Sequence, residues 1–291
     1  MQEFIQLVIT GLATGAIYAL GAIGFTLLWQ TSQTINFAQG EFVMLPAFFM
    51  LAAANTGMPF WLAILIGVAV TMFVLGVGFK LVLVDPMLKH GVLPLAIATM
   101  ALSLFIKDSV KEFYSPEAQN FPSIIPSVNI DILGAVLSLQ SLGVLAIAVI
   151  AVLALQYFLN RTLIGRQMQA TAQNITVARI LGVPVQRMIL YTFLINAGLV
   201  ALASLLITPI YLAKFSSGEV LGQAAFIAAI VGGFNQVRGA IAGGLLLGVV
   251  DNLAATYIST QYRGAIPLFL LIGIILFRPQ GLLGRAEERT V

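Results

Sequence analysis

The chain has 291 residues, of which 60% are hydrophobic and 9% charged, with a formal net charge of +3 and a mean hydropathy of +1.03. A soluble domain is about 45–50% apolar and about 25% charged, so this chain lacks the charged surface a water-soluble globule needs. The absence of cysteine excludes disulfides, thiolate catalysis and cysteine-held metal, and the single histidine, His90, argues against a histidine metal cluster.

Several apolar runs exceed the roughly 20 residues that a spanning helix needs, and the short alternating segments of barrel strands are missing. The expected fold class is therefore an all-α polytopic membrane protein, one transmembrane domain over residues 1–291 with about eight or nine transmembrane or re-entrant helices. In chain order, the first apolar run covers residues 4–29; without a positive n-region, and too long for a signal-peptide core, it is expected to be a retained span. An uncharged break, TSQTIN at 31–36, leads to a second run at 37–54, and NTGMP separates it from a third at 60–84. DPMLKHG at 85–91 reads as a turn, and a fourth run starts at 92 and continues toward Tyr114. Residues 115–131 are polar, and Pro116, Pro122 and Pro126 break any helix there. Apolar character returns at 139–159, 189–212, a short run at 221–234, 240–258 and 265–277.

Lysine and arginine set the orientation of such a chain. Four arginines fall between 161 and 187, and no Asp or Glu occurs between Asp131 and Glu219. That stretch is expected inside, together with Lys80, Lys89 and His90, Arg238, and the tail residues Arg278, Arg285 and Arg289. Glu112, Glu117 and Asp131 mark the outside. If the 221–234 run crosses, the alternation puts the N-terminus outside and the number of crossings is odd.

Two regions interrupt their own hydrophobicity in the same way: TINFAQGEFVMLPAFF at 34–49 and SSGEVLGQAAFIAAIVGGFNQVRGAIAGGLLLG at 216–248. Each joins an amide-bearing, glycine-containing break to an apolar run, and each has one acid near the break, Glu41 or Glu219. Paired interrupted segments point to a transport pathway between repeats. The competing reading is glycine-rich helix packing, which Gly11/Gly15 and Gly244/Gly248 fit. Glu41 also has two readings. An acid within a span is costly and functional by default. A helix starting near Asn36, with Asn36 as its N-cap, would instead hold Glu41 in the first turn, where the helix dipole stabilises it. Asp251 is the second such acid.

The segment GRQMQATAQNITVARILGVPVQRM at 165–188 is too polar to span. It predicts one short helix over about 165–183, with 170, 174, 177 and 181 on one face and 168, 172, 175 and 179 on another, stopped by Gly182 ahead of Pro184. No broad Trp/Phe/Leu face requires lipid. The residues leave two readings open: a helix for a groove on another protein, or a basic loop that only sets topology. No HExxH, GxSxG, CxxC or GxxxxGK[ST] pattern occurs, so neither a membrane hydrolase nor P-loop ATP binding is expected.

The same residues resemble a known family. GRQMQATAQNITVARILGV is similar to the cytoplasmic coupling-helix motif of ABC importer permeases. INFAQGEF at 35–42, GGFNQVRGAIAGGLLLGVVDNL at 232–253 and RPQGLLGR at 278–285 resemble the signatures of LivH-type branched-chain amino-acid permeases, so the likeness runs over nearly the whole chain. Gln39 stands where histidine is commoner, and Ala170–Thr171–Ala172 where the general importer motif has Glu-Ala-Ala, with Gly182 as the motif's glycine. The resemblance implies a non-enzymatic permease subunit of an ATP-driven importer of branched-chain or related small amino acids, multi-pass in a bacterial inner membrane. It implies as partners a second homologous permease subunit, two ATP-binding subunits that hold ATP and magnesium, a periplasmic substrate-binding protein and the lipid bilayer, with no cofactor on this chain and no nucleic acid. Arg166, Ala170, Ala172, Arg179 and Gly182 are the expected ATPase-coupling residues, and Asn36, Gln39, Glu41, Thr99 and Ser103 the expected pathway residues. A urea or short-chain amide permease of the same family, a passive small-solute channel and an ion-coupled transporter are the rival readings.

Overall fold

The computed structural model describes residues 2–126, 128–132, 135–262 and 264–284. Arg285, which closes RPQGLLGR, and Arg289 of the basic tail lie outside the described residues. The helices are α1 (Gln2–Ser32), α2 (Gln39–Ala54), α3 (Phe60–Thr71), α4 (Asp85–Leu88), α5 (Val92–Phe113) and α6 (Leu139–Arg161). They continue with α7 (Leu163–Gln173), α8 (Ile175–Ile180), α9 (Val185–Tyr211), α10 (Ser217–Gly232), α11 (Val237–Tyr257) and α12 (Ala265–Phe277). A π-helical stretch, Met72–Val84, joins α3 to α4 without a break.

Among the described residues, six helical stretches are long and apolar enough to cross a membrane: Gln2–Ser32, Phe60–Leu88, Val92–Phe113, Leu139–Arg161, Val185–Tyr211 and Val237–Tyr257. The apolar helices α2, α10 and α12 are shorter. The helical, polytopic architecture agrees with the hydropathy reading. The polar stretch before α6 adds what that reading did not contain, an antiparallel hairpin of β1 (Asn129–Ile132) and β2 (Ala135–Ser138), with Asn129 opposite Ser138.

The chain forms two compact units, residues 1–26, 123–149 and 223–291 in one and 27–122 and 150–222 in the other. In the first, α1 lies on α11 through glycines. A Cβ at Gly11 would stand 2.8 Å from Val249 Cα, and one at Gly244 2.6 Å from Ala19 Cα. Small residues let membrane helices approach this closely, so Gly11, Gly15, Gly244 and Gly248 are packing residues. The last carbonyls of α10 are closed by the tail signature: Leu282 N–H donates to Val231 O (2.8 Å) and Leu283 N–H to Gly232 O (2.9 Å). Asp251 is buried on α11.

In the second unit, α2 packs against α3, α5 and α9, and α9 packs against the π-helical stretch. Phe42, Phe79 and Phe193 meet in its core at ring-centroid distances of 4.9 and 5.7 Å. Pro46 lies inside α2, and Ala47 N–H donates to Ser204 Oγ of α9 at 3.1 Å. Side-chain acceptors of this kind make proline tolerable inside a membrane helix. Several buried hydroxyls bond the carbonyl four residues back, as in Thr71 to Gly67 (2.7 Å) and Thr192 to Met188 (3.0 Å), so these add no unmet donor. The buried Lys80 ammonium is 2.7 Å from Asp85 Oδ2. The five-residue step between them matches the i→i+5 repeat of the π-helix.

Candidate functional site

Two places carry the residues singled out by sequence. The first is the basic segment between α6 and α9. Thr162 Oγ1 donates to Phe158 O (2.7 Å) and accepts from Gly165 N–H (3.0 Å), capping α7 at its start. Gln169 Nε2 donates to Leu159 O and to Asn160 Oδ1, both at 3.1 Å. These bonds satisfy end carbonyls of α6 and moor α7 to it.

The single helix expected over 165–183 is two helices. Asn174 is extended (φ −158°, ψ 107°); it ends α7, and its Oδ1 accepts from Val177 N–H at 3.0 Å to cap α8. An asparagine side chain offers the backbone a local acceptor that competes with helix continuation. The faces 170/174/177/181 and 168/172/175/179 therefore do not run through Asn174. The stop at Gly182 is as expected: its φ is +79°, Val183 N–H donates to Ala178 O (3.0 Å) and Gly182 N–H to Arg179 O (3.1 Å). This pair of bonds is a Schellman ending, for which glycine is favoured at the left-handed position. Arg166, Arg179 and Gly182 are exposed, Ala170 and Ala172 are half-buried, and Met168, Thr171 and Ala178 are buried. Ile180 and Leu181, which are 78% and 74% exposed beside Arg179, were not among the coupling residues expected from sequence. Their signal was the apolar pair ahead of the helix-stopping glycine.

The second place is the start of α2. The helix begins at Gln39, not near Asn36. Asn36 is not the N-cap: its Oδ1 accepts from Ala38 N–H (3.0 Å) and its carbonyl from Gln39 N–H (3.2 Å). An asparagine side chain bonded two residues on forms an Asx turn, which here leads the chain into the helix. Gln39 and Asn196 of α9 exchange both amide bonds, Gln39 Nε2 to Asn196 Oδ1 at 2.7 Å and Asn196 Nδ2 to Gln39 Oε1 at 3.1 Å. Asn36 Nδ2 adds a third bond to Gln39 Oε1 at 3.3 Å. All three side chains are buried. Interhelical bonds between polar side chains in membranes average about 0.6 kcal/mol and reach about 1.7. Asn196 was not foreseen; its signal was an amide in the middle of the apolar run ILYTFLINAGLVALA.

Glu41 lies in the first turn of α2, as the dipole reading required, but it is buried, and Ser103 lies beside its carboxylate. Thr99 Oγ1 accepts from Phe37 N–H (3.2 Å) and donates to Ala96 O (2.8 Å). One turn beyond Ser103, Lys107 Nζ donates to Glu219 Oε2 at 2.9 Å. One turn further, Lys111 lies over the Phe215 ring at 5.9 Å. The five expected pathway residues thus gather at one location, joined by Asn196, Lys107 and Glu219.

Glycines bring the starts of α2 and α10 together. A Cβ on Gly40 would run into the Gly218 carbonyl and stand 2.8 Å from Gly222 Cα, and one on Gly218 would stand 3.0 Å from Glu41 N. The two interrupted regions meet backbone to backbone, at the residues that precede their acids.

Residues 7–275 match the family model described as branched-chain amino acid transport system / permease component. The chain is 31% identical over 302 residues to the high-affinity branched-chain amino acid transport system permease protein LivH of Salmonella typhimurium, with 99% of this chain and 98% of that protein covered. It is 29% identical over 306 residues to the permease protein BraD of the corresponding Pseudomonas aeruginosa system, at 99% and 98% coverage. It is 24% identical over 287 residues to a probable LivH permease of Methanocaldococcus jannaschii, at 92% and 89% coverage.

Proposed function

We propose a function on one premise: the chain belongs to the family of branched-chain amino acid transport system permease components. It is the membrane-spanning subunit of an ATP-driven importer that moves branched-chain or related small amino acids into the cytoplasm across a bacterial inner membrane. A second, related permease completes the pathway, a periplasmic binding protein delivers the substrate, and two ATP-binding subunits hydrolyse ATP on the inner face. ATP and magnesium belong to those partners, and this chain binds no cofactor. The observation that carries the reading is the end-to-end likeness, 99% of this chain against 98% of its relative.

The geometry supports a division of labour along the chain. The exposed tip of α8, with Arg179, Ile180 and Leu181, is the part that enters a groove on an ATP-binding subunit. Arg166 and Arg179 meet acidic groups there, Gly182 shapes the tip, and half-buried Ala170 and Ala172 keep α7 close to its support. Pro184 leads directly into α9, so displacement of α8 passes into a rigid helix. Asn196 lies 11 residues along that helix from Val185, about 16 Å at 1.5 Å per residue, and grips Gln39 at the start of α2. Asn36, Gln39, Glu41, Thr99 and Ser103 then form the part of the pathway wall that this movement shifts.

The test is extraction of the tagged chain from its native membrane, identification of its partners, and uptake in the reconstituted complex. A P-loop ATPase and a second permease in stoichiometric amounts are expected. Ala172→Glu and Gly182→Asp should insert normally and abolish uptake. Wild-type uptake in both variants, or a clean homo-oligomer that transports without an ATPase, sinks the importer reading.

A further inference from the structure

Thr99, Ser103, Lys107 and Lys111 recur every four residues along α5 and so share one face of that helix. Each meets a segment at an interrupted region: Phe37 and Glu41 at the start of α2, Phe215 and Glu219 at the start of α10. The 22 residues of α5 rise about 33 Å, close to the roughly 30 Å of a bilayer's hydrocarbon core. Lys107 is six residues, about 9 Å, from the Phe113 end, in a last stretch of α5 that also carries Asp108, Lys111 and Glu112. A lysine near a helix end can snorkel to the interface, but Lys107 turns its ammonium to Glu219. The Glu219 side chain is 72% exposed and that of Lys107 26%. Ionised groups avoid hydrocarbon, so the charged last turns of α5 and the exposed pair mark a polar end of this helix.

We propose that Lys107 and Glu219 form the site, at the charged end of α5, that receives the charged backbone of a zwitterionic amino acid. Lys107 takes the α-carboxylate and Glu219 the α-ammonium, each exchanging its partner for the substrate. Empty, the two charges cancel each other; loaded, four charges cancel in two pairs. A solute with only one of the two charges would leave Lys107 or Glu219 unmatched, so the pair selects for zwitterions and leaves the choice among side chains to other groups. Glu41, buried beside Ser103, positions the start of α2 beside the pair and does not take part in the exchange. This assignment rests on the importer reading.

Its test uses the complex with its native partners, purified and reconstituted in liposomes, with radiolabelled leucine and saturating binding protein. Lys107→Met is expected to lower uptake at least 10-fold with partner co-purification unchanged, whereas Lys107→Arg retains more than a third of it. The charge-swapped double variant, Lys107→Glu with Glu219→Lys, restores the ion pair but offers it to the substrate in reverse, and uptake should stay at the Lys107→Met level. Recovery of wild-type uptake in the swap would reduce the pair to a structural tie and overturn the assignment. So would undiminished uptake in Lys107→Met. Loss of the second permease from both variants would make this face a subunit contact and overturn it as well. A wild-type complex that hydrolyses ATP without moving leucine would sink both this site and the importer reading, whereas insensitive variants of a working importer sink the site alone.

Discussion

The helices α2 and α10 are each 16 residues long, with glycine at the second position and glutamate at the third, yet their two carboxylates have different surroundings. Glu41 is buried beside Ser103; Glu219 is exposed and paired with Lys107. Both acids complement the partial positive charge of a helix start. The glycines do the same work in both helices, since each admits the backbone of the other. The difference arises from coverage, because α3, α5 and α9 all pack on α2. A glycine–glutamate pair at a helix start therefore marks where two chain segments cross. Whether its acid is a buried brace or an open charge depends on what lies over it.

Destroying the crossing itself should have the largest effect. Gly40→Leu drives a side chain into the backbone of Gly218 and Gly222. Overpacking costs about 1–3 kcal/mol where side chains can yield, and here the obstacle is backbone. Loss of the monodisperse peak on gel filtration in detergent is expected. Gly198→Leu on α9, where nothing lies within 4 Å of the added Cβ, should retain that peak. Equal behaviour of the two variants would refute the close approach.

The brace behind Glu41 can be loosened more gently. Asn196→Leu leaves the Gln39 amide buried and short of partners, a loss of about 1–3 kcal/mol visible as a lower melting temperature. The double variant Gln39→Leu/Asn196→Leu should recover part of that loss, because removing both partners of a buried bond can be nearly neutral. A double variant as unstable as the sum of the singles would mean that the two amides do not act as a pair.

The smallest effect on stability belongs to the open acid. Glu219→Gln removes an exposed ion pair, for which about 0.2–1 kcal/mol is expected. Its melting temperature should stay near wild type and well above that of Asn196→Leu. A large drop would show that Glu219 braces the crossing as Glu41 does.

Much of the architecture was legible because it depends on short-range chemistry. The runs at 4–29 and 139–159 became α1 and α6 because the transfer of apolar side chains from water is a property of the residues themselves. The stop at Gly182 was legible for a similar reason, since left-handed backbone favours glycine wherever it occurs. The division of the coupling segment at Asn174 was not. Asparagine can sit inside a helix or cap the next one, and a run without another breaker does not say which. The β1–β2 hairpin escaped because four-residue strands are too short to show clear alternation.

By itself the sequence determined that the chain is a helical membrane protein, where its apolar runs break, which glycines can bring helices together, and which family its motifs resemble. Only the tertiary structure decided that Gln39 closes on Asn196, 157 residues away, and that Lys107 meets Glu219, 112 residues away. It alone separated a buried Glu41 from an open Glu219. Apolar transfer and backbone preference are written residue by residue. The burial of an acid or an amide is set by which distant helix covers it, and that depends on the packing of the whole unit.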